Sequence, residues 1–568
     1  MTTLAGGEDR RERSISWSAF LREPRWVGFS AVLSLLMCVP LIALVVIAFS
    51  AKDNIWPHLL STVLPGSVLT TLLLMLGVGL TTTIIGTGMA WLVTMYRFPG
   101  KHFYAWLLLV PLAMPTYLSA FSYLELWDYS GWVQTTLRTS FGWQSARDYW
   151  FPDIRSLGGA IFVMSVVLYP YVYLTARASF IQQSVSLLEA ARLLGRTPFG
   201  VFTSVGLPLA RPAIIAGVTL ALMECLNDIG AVEYFGVNTL TVSVYSTWLE
   251  RGSLSGAAQI ACVMLVFVFA LLWMERTSRR RQLYHRTKDQ FRDVPTLKLK
   301  GWRGWCACAV CAVPMVLGFV MPAIIMLDAA LLYWEKVFES AFWAALGNSV
   351  TLASIAALFA VSIGLVLAFA NRITGNPLVR AATRIASIGY AVPGTILAIG
   401  VLIPLAGLDN AIDGVMRSVF GISSGLLLSG TMAALIFTYV VRFLAISHGA
   451  IEAGYGKLSP NLDYASRTLG RSAFSTLLEV HLPLMRPALG AAALLVFVDV
   501  MKELPATLLL RPFNFDTLAT HVYTLASLDL FEESAPAALM IVAAGLLPVI
   551  LLNRVISLPN PGERPLAG

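Results

Sequence analysis

A series of long apolar runs limits this chain to one structural class. Of its 568 residues, 57% are hydrophobic and 13% are charged, whereas a soluble domain carries about 25% charged residues. The runs are about 20 residues long without strict alternation, so they predict membrane-spanning helices rather than barrel strands. We therefore predict an all-α polytopic membrane protein of about twelve transmembrane helices, near residues 27–49, 66–96, 103–126, 158–179, 212–236, 256–274, 305–333, 342–370, 381–407, 424–447, 488–508 and 534–553.

The two halves of the chain repeat each other at an offset of 275 residues. The repeat is clearest in two polar loops, 186–212 and 459–487, which interrupt the apolar runs. Such self-similarity indicates a duplicated structural unit. Each half has an even number of runs, so both halves face the same way. The sequence therefore predicts a direct repeat about a pseudo-two-fold axis along the membrane normal.

A basic linker separates the two halves and orients them. We predict a first half at 1–275, with its repeat core at about 60–275, and a second half at 305–568, with its core at about 342–553. The positive-inside rule places the linker (276–304), both loops and both termini in the cytoplasm. Because the linker lies between two spans, we interpret its charge as a signal for orientation and predict no nucleic-acid partner.

Each polar loop predicts two short helices separated by a glycine. In the first loop, Ser186 begins a capping box and Gly195 ends the helix. Thr197-Pro198 then begins the next helix. Gly470 has the same place in the second loop. One such loop could be a plain cytoplasmic connection, but two copies at one offset favour a docking surface.

This pattern resembles the EAA loop of binding-protein-dependent ABC importer permeases. The first loop has Glu189-Ala190-Ala191, whereas the second has Tyr464-Ala465-Ser466, with Asp463 beside it as a candidate acidic substitute. The resemblance implies a type I ABC importer fold of two tandem six-helix permease repeats. It also implies that the loops dock onto an ATP-binding subunit through Glu189, Ala190, Ala191, Arg192, Gly195, Asp463, Ala465, Arg467 and Gly470.

Four acidic residues lie at matched positions in the spans that follow the loops. At the offset of 275, Glu224 falls on Asp499 and Asp228 falls on Glu503. The i, i+4 spacing predicts that each pair shares one helix face, roughly 18 Å into the span for Glu224. Two interpretations stay open. The acids are partnered inside the bundle, with Lys502 as the obvious partner of Asp499, or they line a passage and bind a metal cation transiently.

The segments around these acids, from Met223 to Gly236 and from Lys502 to Thr507, are similar to fused permeases of ferric-iron ABC importers. The similarity extends over about residues 60–553. It implies import of ferric iron across the bacterial inner membrane by alternating access. It also implies delivery by a periplasmic binding protein, to which the 127–157 loop, with Trp127, Trp143 and Trp150, and the 409–423 loop are candidate contacts.

The same resemblance implies that two copies of a cytoplasmic subunit supply ATP hydrolysis. We find neither a phosphate-binding loop nor a His-Glu-x-x-His helix in the sequence, so we expect no enzymatic activity and no cofactor on this chain, with ATP and Mg on the partner. Thiamine or another small solute is an alternative substrate. An ion-gradient-driven secondary transporter is an alternative of a different class, because it can also have parallel repeats and buried acids.

Overall fold

The protein is described by a computed structural model over residues 24–50, 56–183, 185–280 and 297–557. Within these ranges, eleven helices are long and apolar enough to cross a membrane, and a helix pair bent by 91° brings the number to twelve. The prediction of an all-α membrane protein is thus confirmed. The candidate spans are Pro24–Ser50, Val63–Met95, Leu157–Ile181, Pro198–Asn227, Leu254–Ser278, Trp302–Leu332, Ser340–Thr374, Gly394–Phe420, Met432–Tyr455, Ala473–Met501 and Phe531–Ile550, with the bent pair Lys101–Ala113 and Thr116–Phe141.

The predicted repeat is visible in the order of the shorter elements. In each half a short loop helix is followed by a helix with one π-helical turn, which ends in a break. A second short helix and a helix of ten residues come next. These elements are Val185–Leu193, Phe202–Gly206, Gly230–Tyr234 and Leu240–Leu249 in the first half, and Asn461–Thr468, Leu477–His481, Pro505–Leu510 and Leu518–Ser527 in the second.

The predicted helix starts and stops in the loops are largely confirmed. Gly195 and Gly470 have φ angles of 77° and 75°, a region that glycine occupies without strain. Thr197 caps the following helix by accepting a hydrogen bond from the Gly200 amide at 3.1 Å. The side chain of Ser186 lies outside the described residues, so its predicted capping box stays a prediction.

Two prolines break helices that the sequence analysis treated as single spans. The span predicted at 103–126 bends at Met114-Pro115, because the residue before a proline favours extended backbone and Met114 has φ −93° and ψ 114°. Pro393 acts similarly, so the span predicted at 381–407 is wrong and a helix runs over Gly394–Phe420. The predicted 409–423 loop is therefore mostly helical.

The described chain divides into two compact units by its internal contacts. One contains residues 24–39, Ala357–Tyr390 and Tyr439–Val496, and the other contains Pro40–Ala356, Ala391–Thr438 and residues 497–557. Most of the basic linker lies outside the described residues. The predicted domain boundaries at 1–275, 276–304 and 305–568 therefore stay a prediction.

The larger unit is built around a close contact between the helices Val63–Met95 and Leu157–Ile181. At Gly86 an added Cβ atom would lie 2.7 Å from Val172 Cβ and 2.8 Å from the Tyr173 backbone nitrogen. Such distances are below van der Waals contact, so only glycine allows the two backbones to approach this closely.

We expect Gly86→Ala to lower the free energy of unfolding by about 1–3 kcal/mol, because the added methyl group overpacks this contact. Gly88→Ala is the matched control, since nothing lies within 4 Å of a Cβ atom at Gly88 in the same helix. Thermal unfolding of the purified protein in detergent measures both variants. Equal melting temperatures for the two would contradict the packing described here.

Candidate functional site

The two loops share a backbone turn and an exposed apolar surface. Leu194 and Leu469 occupy matched positions and are 84% and 81% exposed, and the matched Phe199 and Phe474 are 73% and 66% exposed. Large apolar side chains exposed at the same place in both copies are typical of a protein contact surface. Of the predicted docking residues, Ala191 is buried, Arg192 and Asp463 are half-buried, and Glu189, Ala190, Gly195, Ala465, Arg467 and Gly470 are exposed.

The second loop is anchored to its own unit by charged groups. Asp463 Oδ2 lies 2.8 Å from Arg372 Nε, and Asp463 Oδ1 lies 2.7 Å from His481 Nε2. Arg372 also donates hydrogen bonds to the backbone carbonyls of Tyr455 and Leu458, at 3.3 and 3.1 Å. Both oxygens of Asp463 thus have internal partners. Its predicted role as the acidic docking residue stays a prediction.

The first loop has an apolar anchor at the matched positions. Leu188 stands where the second loop has Asp463, and it is fully buried in a cluster that contains Trp91 and Phe180. Gly206 stands where the second loop has His481, and an added Cβ there would lie 2.5 Å from the Trp91 ring. The two repeats therefore hold equivalent loops by different physical means.

The helix that carries Glu224 ends at Asn227. Asp228 has extended backbone, with φ −72° and ψ 126°, and the matched helix that carries Asp499 ends before Glu503, at Met501. The prediction that each acidic pair shares one continuous helix face is therefore wrong.

The boundaries of the spans that carry these acids also differ from the prediction. The spans predicted at 212–236 and 488–508 are Pro198–Asn227 and Ala473–Met501 in the structure. A π-helical turn in each lets the helix continue from the loop into the span.

The second acid of each pair begins the short helix that follows the break. Asp228 Oδ1 accepts a hydrogen bond from the Ala231 amide at 2.8 Å, and Glu503 Oε1 accepts one from the Ala506 amide at 3.1 Å. Both side chains are buried. These bonds satisfy backbone donors exposed by the break. They give two of the four acids a structural function, which is one of the interpretations that the sequence left open.

Three of the four acids interact with one lysine in the larger unit. Lys502 Nζ lies 2.8 Å from Asp499 Oδ1, and its charge also interacts with the carboxylates of Glu224 and Glu503. Asp228 interacts electrostatically with Glu224. We call Glu224, Asp228, Asp499 and Glu503 the acid cluster. Glu224 and Asp499 are partly exposed, whereas the other two acids are buried.

The N-termini of two helices donate hydrogen bonds to Asn227 and Asp228, where the helix that carries Glu224 ends. The Thr116 hydroxyl, at the start of a helix, donates a hydrogen bond to Asp228 Oδ2. The amide of Gly394, also at the start of a helix, donates to Asn227 Oδ1 at 2.8 Å. The partial positive charge of each N-terminus stabilises nearby negative charge. Both N-termini follow the proline breaks described above, so the repeated prolines help to build the site.

Within the described ranges, no three His, Cys, Asp or Glu side chains are grouped so that they could hold a metal ion. Transient metal binding by Glu224, Asp228, Asp499 and Glu503 therefore stays a prediction. Sequence reasoning missed Thr116 as a partner of Asp228 and the Gly394 amide as a partner of Asn227. The repeated proline before each helix was the signal that could have located Thr116.

The predicted 127–157 loop contains a helix, Trp132–Phe141, and several exposed aromatic side chains, of which Trp150 is the most exposed. The ring of Trp143 stacks between Phe141 and Tyr149 at centroid distances of 4.8 Å on each side, and Trp150 is 86% exposed. The backbone amides of Gln144 and Ser145 donate to Asp148 at 2.8 Å and lower the pKa of its carboxyl group. Among the three predicted tryptophan contacts, Trp150 is thus the most accessible.

Comparison with known proteins agrees with this architecture. Residues 82–283 match the family described as binding-protein-dependent transport system inner membrane component. The chain is 26% identical over 544 residues to the Fe(3+)-transport system permease protein FbpB 2 of Haemophilus influenzae, covering 94% of this chain and 99% of the relative.

Two further relatives match different shares of the chain. FbpB 1 of the same organism, provisionally named a ferric transport system permease protein, is 24% identical over 515 residues, covering 85% of this chain and 77% of FbpB 1. The molybdenum transport system permease protein ModB of Escherichia coli is 29% identical over 206 residues, covering 34% of this chain and 86% of ModB. The FbpB relatives thus match most of the chain, and ModB matches about a third.

We expect Asp463→Asn to loosen the second loop, because Arg372 and the buried His481 lose a charged partner. The expected loss of stability is about 1–2 kcal/mol, since these are hydrogen bonds to a charged group in a partly exposed site. Trypsin should then cleave faster after Arg467. The control Glu479→Gln removes the exposed ion pair with Arg471. We expect little change in its rate of cleavage, because exposed ion pairs contribute little to stability. Equal cleavage rates in both variants would contradict the anchor.

Proposed function

We propose, on the premise that this chain belongs to the binding-protein-dependent inner-membrane transport permeases, that it carries ferric iron across the bacterial inner membrane by alternating access. The observation that carries this proposal is the acid cluster around Lys502. Glu224 and Asp499 are matched positions of the two halves, yet both act on the same ammonium group. Residues related by a two-fold axis share a neighbour only close to that axis, where a passage between the halves runs.

The charge of the cluster suits a highly charged hard cation. Four carboxylates and one ammonium group give a formal charge of −3, equal and opposite to that of a ferric ion. Carboxylate oxygens are hard ligands that favour hard cations. Lys502 neutralises part of this charge when no cation is present, which lowers the cost of burying the carboxylates.

The two FbpB relatives support the same substrate class. FbpB 2, which matches nearly the whole chain, is named for Fe(3+) transport. A negatively charged solute would be repelled by the acid cluster. Cationic thiamine fits the charge as well, so it remains the alternative substrate.

The loops are proposed to dock two copies of a cytoplasmic ATP-binding subunit, which would hold ATP and Mg. The matched exposed pairs Leu194/Leu469 and Phe199/Phe474 support this contact. A periplasmic binding protein would deliver the substrate, and the exposed Trp150 is our candidate for its contact. This assignment places both termini in the cytoplasm. It also requires no enzymatic activity of the chain itself.

A continuous helix connects the first loop to the acid cluster. The helix Pro198–Asn227 has 30 residues, so it is roughly 45 Å long. Glu224 lies near its far end. A movement of the first loop therefore displaces this carboxylate of the cluster. This arrangement supports coupling of ATP hydrolysis to opening of the passage.

We expect Glu224→Gln combined with Asp499→Asn to lower uptake of radiolabelled ferric iron by about tenfold or more in cells that assemble the complex. A charge lost at about 4 Å is worth about 4 kcal/mol at an effective dielectric constant of 20, and tenfold corresponds to about 1.4 kcal/mol. The control Glu452→Gln changes an exposed acid on another span and should leave uptake unchanged. Unchanged uptake in the double variant would reduce the cluster to a structural role.

The substrate and the class of transporter are tested together. Cells with and without the chain are compared for uptake of ferric iron and of thiamine. Uptake of thiamine alone would contradict the iron assignment.

Capture of an ATP-binding subunit that is lost after Gly195→Val and Gly470→Val supports the importer. Transport that persists without any such subunit would favour an ion-gradient-driven carrier instead.

A further inference from the structure

Two basic residues stand side by side on a short β-ribbon of the larger unit. The strand Tyr96–Arg97 follows the span Val63–Met95, and the strand Leu297–Lys298 precedes the span that begins at Trp302. The strands are parallel, and Arg97 is the register partner of Lys298. Neighbouring strands lie about 4.8 Å apart, so the ribbon holds two exposed cations close together. Like charges at opposite positions destabilise a strand pair.

Contacts of the backbone hold this ribbon in place. The Leu299 amide donates a hydrogen bond to the Arg97 carbonyl at 2.9 Å, and the Cys308 thiol donates one to the Pro99 carbonyl at 3.0 Å. A Cβ atom added at Gly304 would lie 3.2 Å from both Pro99 Cδ and the Leu299 carbonyl oxygen, so the following helix packs closely against the ribbon. The backbone beneath the two cations is therefore fixed by its neighbours.

The second repeat shows which partner an arginine takes at this position. At the offset of 275, Arg97 falls on Arg372, which forms an ion pair with Asp463. The first repeat has Leu188 in the position of Asp463, so this carboxylate is replaced by an apolar group. Among the residues that the structure describes, neither Arg97 nor Lys298 forms an ion pair. An anionic oxygen from outside the chain would give both cations a partner.

Three more cations lie beside the ribbon, at the starts of the spans that it connects. Their side chains are exposed or half-buried. The segments 96–106 and 297–305 contain no acidic residue, and the five cations carry a formal charge of +5. We call these five residues the basic patch: Arg97, Lys101, Lys298, Lys300 and Arg303.

Exposed aromatic rings mark the level of the basic patch relative to a membrane. Trp302 and Trp305 are i, i+3 neighbours, so they share one face of their helix. Phe103 lies in the helix that follows the first strand, and all three rings are exposed. Tryptophan is enriched where the acyl chains of a bilayer meet its headgroups. These rings therefore place the patch at the depth of the lipid headgroups.

The basic patch lies at the same end of the spans as the first loop. Trp91, near the end of the span that leads into Arg97, packs on Phe202 of that loop with ring centroids 5.0 Å apart. Phe98, next to Arg97, belongs to the same apolar cluster as Leu188. The proposed orientation puts this end in the cytoplasm, where anionic lipids give the membrane surface a negative potential.

We propose that the basic patch binds the phosphate group of an anionic phospholipid, with Arg97 and Lys298 as the central contacts. Charge-assisted hydrogen bonds from arginine and lysine to phosphate are strong, and arginine can form two in parallel. The acyl chains of the lipid would lie along the exposed rings of Trp302 and Trp305. A soluble phosphate shares the headgroup chemistry but would leave these rings uncovered, so we assign a lipid.

A bound headgroup would neutralise the like charges that the ribbon holds together. It would thereby stabilise the contact between the end of the basic linker and the first half of the chain. This inference does not depend on which solute the chain carries. It adds a lipid to the partners that the proposed function requires.

We test this with the full-length chain in detergent, titrated with phosphatidylglycerol or phosphatidylcholine and weighed by native mass spectrometry. We expect the first phosphatidylglycerol to bind about tenfold or more tightly than phosphatidylcholine, and Arg97→Gln with Lys298→Gln to remove this preference, because each basic residue at the surface adds to the attraction of anionic lipid. Arg97→Lys with Lys298→Arg keeps both charges and should keep the preference. The control Arg147→Gln with Arg251→Gln removes two exposed charges outside the patch and should also keep it.

Thermal unfolding separates a lipid contact from a purely structural role. Without added lipid, the double glutamine variant should melt no lower than the unaltered chain, because it loses only a repulsion between like charges. Phosphatidylglycerol should raise the melting temperature of the unaltered chain and not that of the variant. A lower melting temperature of the variant without lipid would assign the two residues to the fold and overturn the proposal.

Two results of the titration would also overturn it. One is equal binding of the two lipids by the unaltered chain, or a preference that survives in the double glutamine variant. The other is displacement of phosphatidylglycerol by inorganic phosphate, which would identify a site for a soluble anion instead of a lipid.

Discussion

The architecture depends on two buried carboxylates that bridge a gap in the helical backbone. A span that breaks inside a membrane leaves amide groups that neither water nor the helix can satisfy. Asp228 and Glu503 accept hydrogen bonds from those amides in the two repeats. These hydrogen bonds to the backbone fix the positions of Asp228 and Glu503, and the other residues of the acid cluster lie near them.

The duplication preserves geometry while the chemistry has diverged. Both loops turn at a glycine with positive φ, and both feed a long helix through a π-helical turn. Their anchors differ, because Asp463 and His481 form a charged contact where the first repeat has Leu188 and Gly206. The two repeats therefore hold loops of similar backbone shape through different side-chain contacts.

Much of this could be predicted from the sequence because it depends on local rules. Apolar run length located most spans, and the glycine and threonine positions located the turns in the loops. The acidic pairs were misjudged because i, i+4 spacing implies a shared face only in an unbroken helix. Asp228 ends the helix instead. The match between the helices Leu240–Leu249 and Leu518–Ser527 was missed because extra residues before Thr517 shift the repeat offset to 278. Such shifts become visible only when the helix caps are aligned in three dimensions.

The central claim is that the acid cluster lines the passage, and accessibility at Glu224 tests it most directly. A chain with its six cysteines replaced would carry Glu224→Cys and be assembled with its ATP-binding subunits in membrane vesicles. The account predicts that a small hydrophilic thiol reagent labels this cysteine, that the accessible side changes when ATP is trapped, and that ferric iron slows labelling. A cysteine that reacts from neither side in any state would contradict a passage at the acid cluster.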